Sequence, residues 1–96
     1  MIEMSLEEVE QAAAKIENLA KALMDAPNAK DAKHLRDTCK HYNNQMRGLF
    51  GNVAEQLGRI STAARLYEKS RIDLNRAKLE LHQAVTRMHQ AIDIHR

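Results

Sequence analysis

An apolar repeat of seven residues between Val53 and Ile92 constrains the fold of this chain more than any other feature. Large side chains form one row at seven-residue spacing, and mostly small side chains form a second row three positions further on. The rows are Ile60, Tyr67, Leu74, Leu81, Met88 and Ala63, Ser70, Ala77, Ala84, Ala91. Such spacing places these residues on one face of an α-helix. A single helix of about 40 residues cannot bury that face alone, so a helical partner is required, within the chain or outside it.

Two further amphipathic segments precede the repeat. Residues 5–25 and 28–47 carry apolar side chains at spacings of three and four, which is typical of helices that bury one face. Between them, Pro27 lacks an amide hydrogen and disfavours helical geometry in the residue before it, so the helix stops or kinks there. The sequence therefore predicts an all-α fold of three helices, at about 5–25, 28–47 and 53–94.

Capping residues mark the ends of these helices. Ser5 and Glu8 have the spacing of a capping box, and Asn28 precedes the second helix as a cap. Gly48 offers a left-handed cap at the end of the second helix, and Asn52 is placed to cap the third. A turn at residues 48–52 is predicted on this basis. Because the apolar phase continues through these residues, one continuous helix is the alternative.

The lengths of the two halves favour the turn. Residues 5–47 and 53–95 both span 43 positions, so a reversal between them lets the two arms cover each other. We predict one domain over residues 1–96, an antiparallel helical hairpin with its first arm kinked at Pro27. A two-layer hairpin leaves one side partly uncovered, so we expect it to complete a bundle by oligomerisation or by docking on another protein. The apolar residues expected on that side are Leu66, Ile72, Leu79 and Ile94.

Composition excludes several classes of protein. Three aromatic residues and no Trp give no stacking platform for bases. No apolar run approaches the roughly 18 residues that a membrane span needs, and Glu3 stands where a signal peptide would have a basic start. The lone Cys39 allows no internal disulfide and is expected to be a buried small hydrophobe. A cytoplasmic location is predicted, with secretion without a classical signal peptide as the alternative.

Charge is distributed unevenly along the chain. Residues 1–28 hold two Lys and six acidic residues, whereas residues 29–96 hold thirteen Lys or Arg and seven acidic residues. Internal complementarity explains this asymmetry most simply, with acidic side chains of the first helix facing cations near the end of the chain. The residues expected to face one another are Glu7, Glu8, Glu10 and Glu17 on one side and Lys78, Arg87 and the last histidines on the other.

Basic residues also form two stripes beside the apolar rows. Lys33, Arg36, Lys40 and Arg47 make up the first stripe, and Arg65, Lys69 and Arg76 the second. Such stripes are either the solvated edges of packed helices or surfaces that follow the phosphates of a nucleic acid.

No constellation for catalysis, a cofactor or a metal is present in the sequence. It contains no glycine-rich phosphate loop and no motif that places a nucleophile beside a base. Two histidine pairs at seven-residue spacing lie roughly 10 Å apart on a helix, too far for both members to bind one zinc ion. We expect no catalytic residue, no cofactor and no metal site.

The pattern of a helical hairpin of about 100 residues, with Phe50-Gly51 near its centre, resembles the small helical hairpins of type VII secretion that are named for a Trp-x-Gly turn. The opening residues 2–9 are similar to the start of some members. The chain departs from the family because it lacks the Trp and the Tyr-x-x-x-acid export signal, and because its balance of charge is basic. The resemblance implies a secreted dimer partner rather than a catalyst.

The function predicted from the sequence is a non-enzymatic helical protein–protein interaction module, acting as an adaptor, small chaperone, secretion partner or inhibitor of a larger protein. Its partner is a protein, including a second copy of the chain. The alternative is a basic regulatory protein that binds nucleic acid. The predicted contact residues are the four apolar residues of the uncovered side and the first basic stripe, Leu66, Ile72, Leu79, Ile94, Lys33, Arg36, Lys40 and Arg47.

Overall fold

The computed structural model describes residues 4–96, and over this range the protein is all-α. The helices are α1 (Leu6–Asp25), α2 (Ala29–Met46), α3 (Gly51–Arg65) and α4 (Leu74–Asp93), with a short 3-10 turn at Leu66–Glu68 after α3. The predicted all-α class is confirmed. None of these helices is long and apolar enough to cross a membrane.

Local hydrogen bonds fix the starts of the first two helices. The Ser5 hydroxyl accepts from the Glu8 amide at 3.2 Å, and the Ser5 amide donates to the Glu8 carboxylate at 3.0 Å, so the predicted capping box is confirmed. After Asp25 the chain leaves the helix at the residue before Pro27, and the Asn28 side chain then accepts from the Asp31 amide at 2.8 Å. The break at Pro27 is therefore a stop followed by a new, capped helix.

The predicted turn between the second and third helices is confirmed, but the residues expected to cap the helices on either side of it do not do so. The chain leaves α2 after Met46 and begins α3 at Gly51. No described glycine has a positive φ, so the left-handed cap expected at Gly48 is wrong. Phe50, not Asn52, is the N-cap residue of α3. The Asn52 side chain instead donates to the Ala91 carbonyl at 3.0 Å, and its oxygen lies 2.8 Å from His95 Nε2.

The single long third helix predicted over 53–94 is wrong. The chain leaves α3 at Arg65, passes through the 3-10 turn and an exposed loop at residues 69–73, and begins α4 at Leu74. Asp73 caps this new helix, since its carboxylate accepts from the Arg76 amide at 3.1 Å. The break carries Leu74 out of the core, where it is 50% exposed, and leaves Tyr67 buried at 2% exposure.

The four helices form an antiparallel bundle, because each arm of the predicted hairpin is itself folded in half. Contacts between α1 and α4 join Glu10 to Arg96, and contacts between α2 and the end of α3 join Arg36 to Glu68. In addition α4 packs against α3, and α1 against α2. The longest dimension is 40 Å, whereas an arm of 43 helical residues would extend roughly 65 Å.

The core lies along the axis of this bundle. Every helix contributes fully buried aliphatic side chains, and the small row Ala63, Ala77, Ala84 and Ala91 lies among them. After Tyr67, the largest fully buried side chains are Ile16, Leu23, Leu35, Met46, Leu57, Ile60, Leu81, Met88 and Ile92.

Acidic residues of α1 meet an arginine and a histidine near the end of α4, as the charge asymmetry suggested. Glu10 lies 3.0 Å from an Arg96 nitrogen, and Glu17 lies 3.0 Å from His89 Nε2. Glu17 also faces Lys21 at 3.9 Å. The expected contacts of Lys78 and Arg87 with α1 acids are not among the ion pairs of residues 4–96. The residues that contact α1 acids from this part of the chain, His89 and Arg96, lie further along it.

Candidate functional site

The four apolar residues predicted as a contact surface are not brought together. Ile72 and Leu79 are 37% and 56% exposed near the start of α4, whereas Ile94 is 77% exposed at its opposite end. Leu66 is only partly exposed, because it packs against the core. These four residues therefore do not form one continuous surface, and their role as partner-contact residues stays a prediction. Ile72 and Leu79 both lie toward the start of α4.

An apolar groove lies beside Leu79. It encloses about 440 Å³ between the end of α1 and the first half of α4, and its lining residues are Met24, Asn75, Lys78, Leu79 and His82. We name these five residues the apolar groove. The position of Met24 beside Leu79 was not predictable from the sequence, because it depends on how α1 packs against α4. Leu74, half exposed five residues before Leu79, adds apolar surface at the same end of α4.

The predicted basic stripe of α2 borders a second groove, between α2 and α3. Its cationic walls are Arg36, Lys40 and Arg47 on α2 and Arg65 on α3, and it encloses about 430 Å³. Asn44 and Ser61 are polar lining residues, and Cys39 and Leu57 lie at its base. We name this the basic groove. It joins members of the two stripes that the sequence placed on separate helices.

Two of the predicted cations are already paired. Lys33 does not line the groove, and its Nζ lies 2.9 Å from the carboxylate of Asp37, which does. Arg36 makes a bidentate ion pair with Glu68: its Nη2 donates to one carboxylate oxygen at 2.8 Å, and its Nε donates to the other. These side chains are 24% and 22% exposed, and their hydrogen bonds raise the pKa of Arg36 and lower that of Glu68. Arg36 therefore joins α2 to the 3-10 turn.

Three cations of the basic groove have no carboxylate within ion-pair distance over residues 4–96. They are Lys40, Arg47 and Arg65. Arg47 Nε donates to the neutral amide oxygen of Asn43 at 3.1 Å, which leaves its charge uncompensated. These three residues give the basic groove its electrostatic character.

A third groove, between α3 and α4, provides a comparison. It encloses about 530 Å³ and is lined by two acidic and two basic residues, Glu55, Glu80, Arg59 and Arg87. Gly58 lies between it and the basic groove and lines both. We name it the mixed groove. The two grooves flank the same helix and are similar in volume, but only the basic groove has an excess of one charge.

Neither Cys39 nor the histidines form a reactive cluster. Cys39 is 1% exposed, and burial raises the pKa of its thiol to about 12, so it is protonated at neutral pH. His89, His95 and His41 contact Glu17, Asn52 and Gln45. In the described part of the chain, no three His, Cys, Asp or Glu residues converge in the geometry of a metal site.

Comparisons with family models, with curated proteins and with solved structures give no match to this chain. The resemblance to the helical hairpins of type VII secretion remains a prediction.

Proposed function

We propose that the protein is a non-enzymatic helical protein–protein interaction module, and that the apolar groove is the place where its partner binds. The observation that carries this proposal is the exposure of Leu79 beside Met24 in a concave surface of about 440 Å³. Apolar grooves of this kind are the surfaces into which an amphipathic helix of a partner protein lays its apolar face. The roles that fit such a module are those of an adaptor, small chaperone, secretion partner or inhibitor of a larger protein.

The size of the exposed apolar surface decides between two kinds of partner. A stable dimer buries roughly 800 Å² on each subunit, and the partly exposed side chains of Ile72, Leu74 and Leu79 supply far less apolar area than that. A helix of another protein needs only to insert one or two large side chains into a groove. The groove therefore favours a helical segment of a different protein over a second copy of this chain.

The charge at the rim of the groove indicates the flanks of that segment. Lys78 lies on the rim, and none of the five lining residues is acidic. A partner helix with a leucine-like side chain followed or preceded by an acidic residue would place the acid near Lys78. We propose such an amphipathic, acid-flanked helix as the occupant.

Replacement of Leu79 by Asp tests the proposal. Completing the burial of a half-exposed leucine is worth about 1 kcal/mol, and an unpaired carboxylate in an apolar contact costs at least as much. We therefore expect the dissociation constant to rise tenfold or more. The matched control is Gln83→Asp, which adds the same charge to the same helix but faces the mixed groove.

The experiment begins with co-purification from the native source using wild type, Leu79→Asp and Gln83→Asp. Any protein retained by wild type and by the control is then produced alone, and its affinity for all three is measured by calorimetry. Selective weakening by Leu79→Asp supports the proposal. Equal affinity for all three proteins would refute it. Sedimentation of the wild type as a dimer and of Leu79→Asp as a monomer would also refute it, because the apolar groove would then be occupied by a second copy of the chain. Thermal unfolding checks that both variants fold.

A further inference from the structure

The basic groove differs from the mixed groove in the kind of ligand that it can hold. Its charged groups that lack an ion-pair partner over residues 4–96 are all cationic: the guanidinium groups of Arg47 and Arg65 and the ammonium group of Lys40. Asn43, Asn44 and Ser61 supply neutral groups that can donate hydrogen bonds as well as accept them. Asp37 is the acidic lining residue, and it is already paired with Lys33. A ligand that presents only acceptor oxygens and negative charge complements such a surface.

The spacing of Lys40, Arg65 and Arg47 along the groove determines how long this ligand must be. The three cations lie at two levels along the axis of α2. Arg36 meets Glu68 across the antiparallel α2 and α3, so Arg65, one turn before Glu68, lies at the level of Lys40. Arg47 lies seven residues beyond Lys40 on α2, which is roughly 10 Å along the helix. This separation suits two or more linked phosphates, whose charge is spread along a chain, better than the compact charge of one phosphate.

The surface between these two levels allows a chain to lie close to α3. Gly58 lines the groove between them, and a Cβ added at Gly58 would meet no atom within 4 Å, so the space above it is open. Asn44 and Ser61 flank this open stretch and offer neutral donors to phosphate oxygens. No aromatic residue lines the groove, which removes the usual means of stacking bases.

From these observations we propose that the basic groove binds a chain of linked phosphates, through Lys40 and Arg65 at one level and Arg47 at the other. The phosphates can belong to a single-stranded nucleic acid or to an inorganic polyphosphate, since both present the same oxygens. Binding does not depend on the identity of the bases. The inference is independent of the proposed function, because the apolar groove and the basic groove share no residue.

Fluorescence anisotropy of a labelled oligothymidylate over a series of salt concentrations measures this binding. The test variant is Lys40→Glu/Arg65→Glu. Its matched control is Arg59→Glu/Arg87→Glu, which changes the net charge equally but alters the mixed groove. We expect the test variant to weaken binding at least tenfold and the control to weaken it less than about threefold. The dependence of log K on log salt for a single strand has a slope of about −0.7 for each phosphate neutralised, so the test variant should flatten it by about 1.4.

Competitors identify the source of the phosphates. Displacement of the oligothymidylate by tripolyphosphate supports recognition of the phosphate chain alone. Displacement by oligoadenylate but not by tripolyphosphate supports a nucleic-acid strand as the ligand. Equal weakening by both double variants would overturn the proposal, because the protein would then respond only to net charge. Displacement by hexaglutamate as strongly as by tripolyphosphate would also overturn it, and so would the absence of binding at low salt. Thermal unfolding of both double variants shows whether each remains folded.

Discussion

Leu81 and Leu74 occupy the same apolar row of the sequence, seven residues apart, but they have very different surroundings in the bundle. Leu81 is fully buried in the middle of α4, whereas Leu74 is 50% exposed as the first residue of the same helix. Replacing Leu81 by Ala removes buried methyl groups and leaves a cavity, which costs about 2–5 kcal/mol. Small domains have a total free energy of unfolding of about 5–15 kcal/mol, so this loss is a large part of the whole.

Leu74→Ala is the matched comparison, because it deletes the same atoms from the same helix. About half of that side chain is already in water, and the expected loss is at most about 1 kcal/mol. Urea unfolding followed by circular dichroism at equal protein concentration gives both free energies. In a domain of this size each kcal/mol also lowers Tm by about 4–8 °C. If the two variants lose stability equally, then α4 does not begin at residue 74 and the bundle described above is wrong.

Four further predictions concern single side chains. Glu68→Gln should lower the free energy of unfolding by about 1 kcal/mol at neutral pH, because it breaks the ion pair with Arg36. Since the pKa of Glu68 is lowered below 4.5, the wild type should lose this extra stability as the pH falls through the lowered pKa, and urea titrations over a pH series measure the loss. Cys39 should react with a maleimide only when the protein unfolds locally or globally. Because burial raises the pKa of its thiol from 9.0 to about 12, the free energy of unfolding measured in urea should fall as the pH rises across that interval, and it should fall less in Cys39→Val. Tyr67→Phe should raise the free energy of unfolding by about 1 kcal/mol, because the buried hydroxyl has no hydrogen-bond partner in the described chain; an unchanged melt would argue that the hydroxyl is satisfied. Asp73→Ala should cost about 1 kcal/mol in the same assay through loss of the α4 cap, and a neutral result would place the start of α4 elsewhere.

Several features that depend on neighbouring residues were predictable from the sequence, although the caps expected at Gly48 and Asn52 were not found. The capping box at Ser5, the cap at Asn28 and the turn after Met46 all rest on contacts within a few positions, and all three are found. The break after Arg65 was missed because a seven-residue spacing of Tyr67 and Leu74 is the same whether or not the chain stays helical between them. The available signal was Asp73 itself, since Asp is a favoured N-cap residue, and its carboxylate does accept from the Arg76 amide.

The grooves depend on packing between distant parts of the chain and could be predicted only in part. Periodicity placed Arg36, Lys40 and Arg47 on one stripe of α2, and the structure keeps them together. The neutralisation of Arg36 was not predictable, since its partner Glu68 lies 32 positions away. Exposure of Leu79 was expected, but its neighbour across the groove, Met24, is determined by the packing of α1 against α4.

The contact of Glu10 with Arg96 brings the beginning of α1 next to the last described residue. A short added linker between Met4 and Arg96 could join the two ends of the described range without disturbing a helix. New ends could then be opened in the exposed loop at residues 69–73, which contributes no side chain to the buried core. A circular permutant made in this way would start near Arg71, run through α4 into α1, and present the basic groove unchanged.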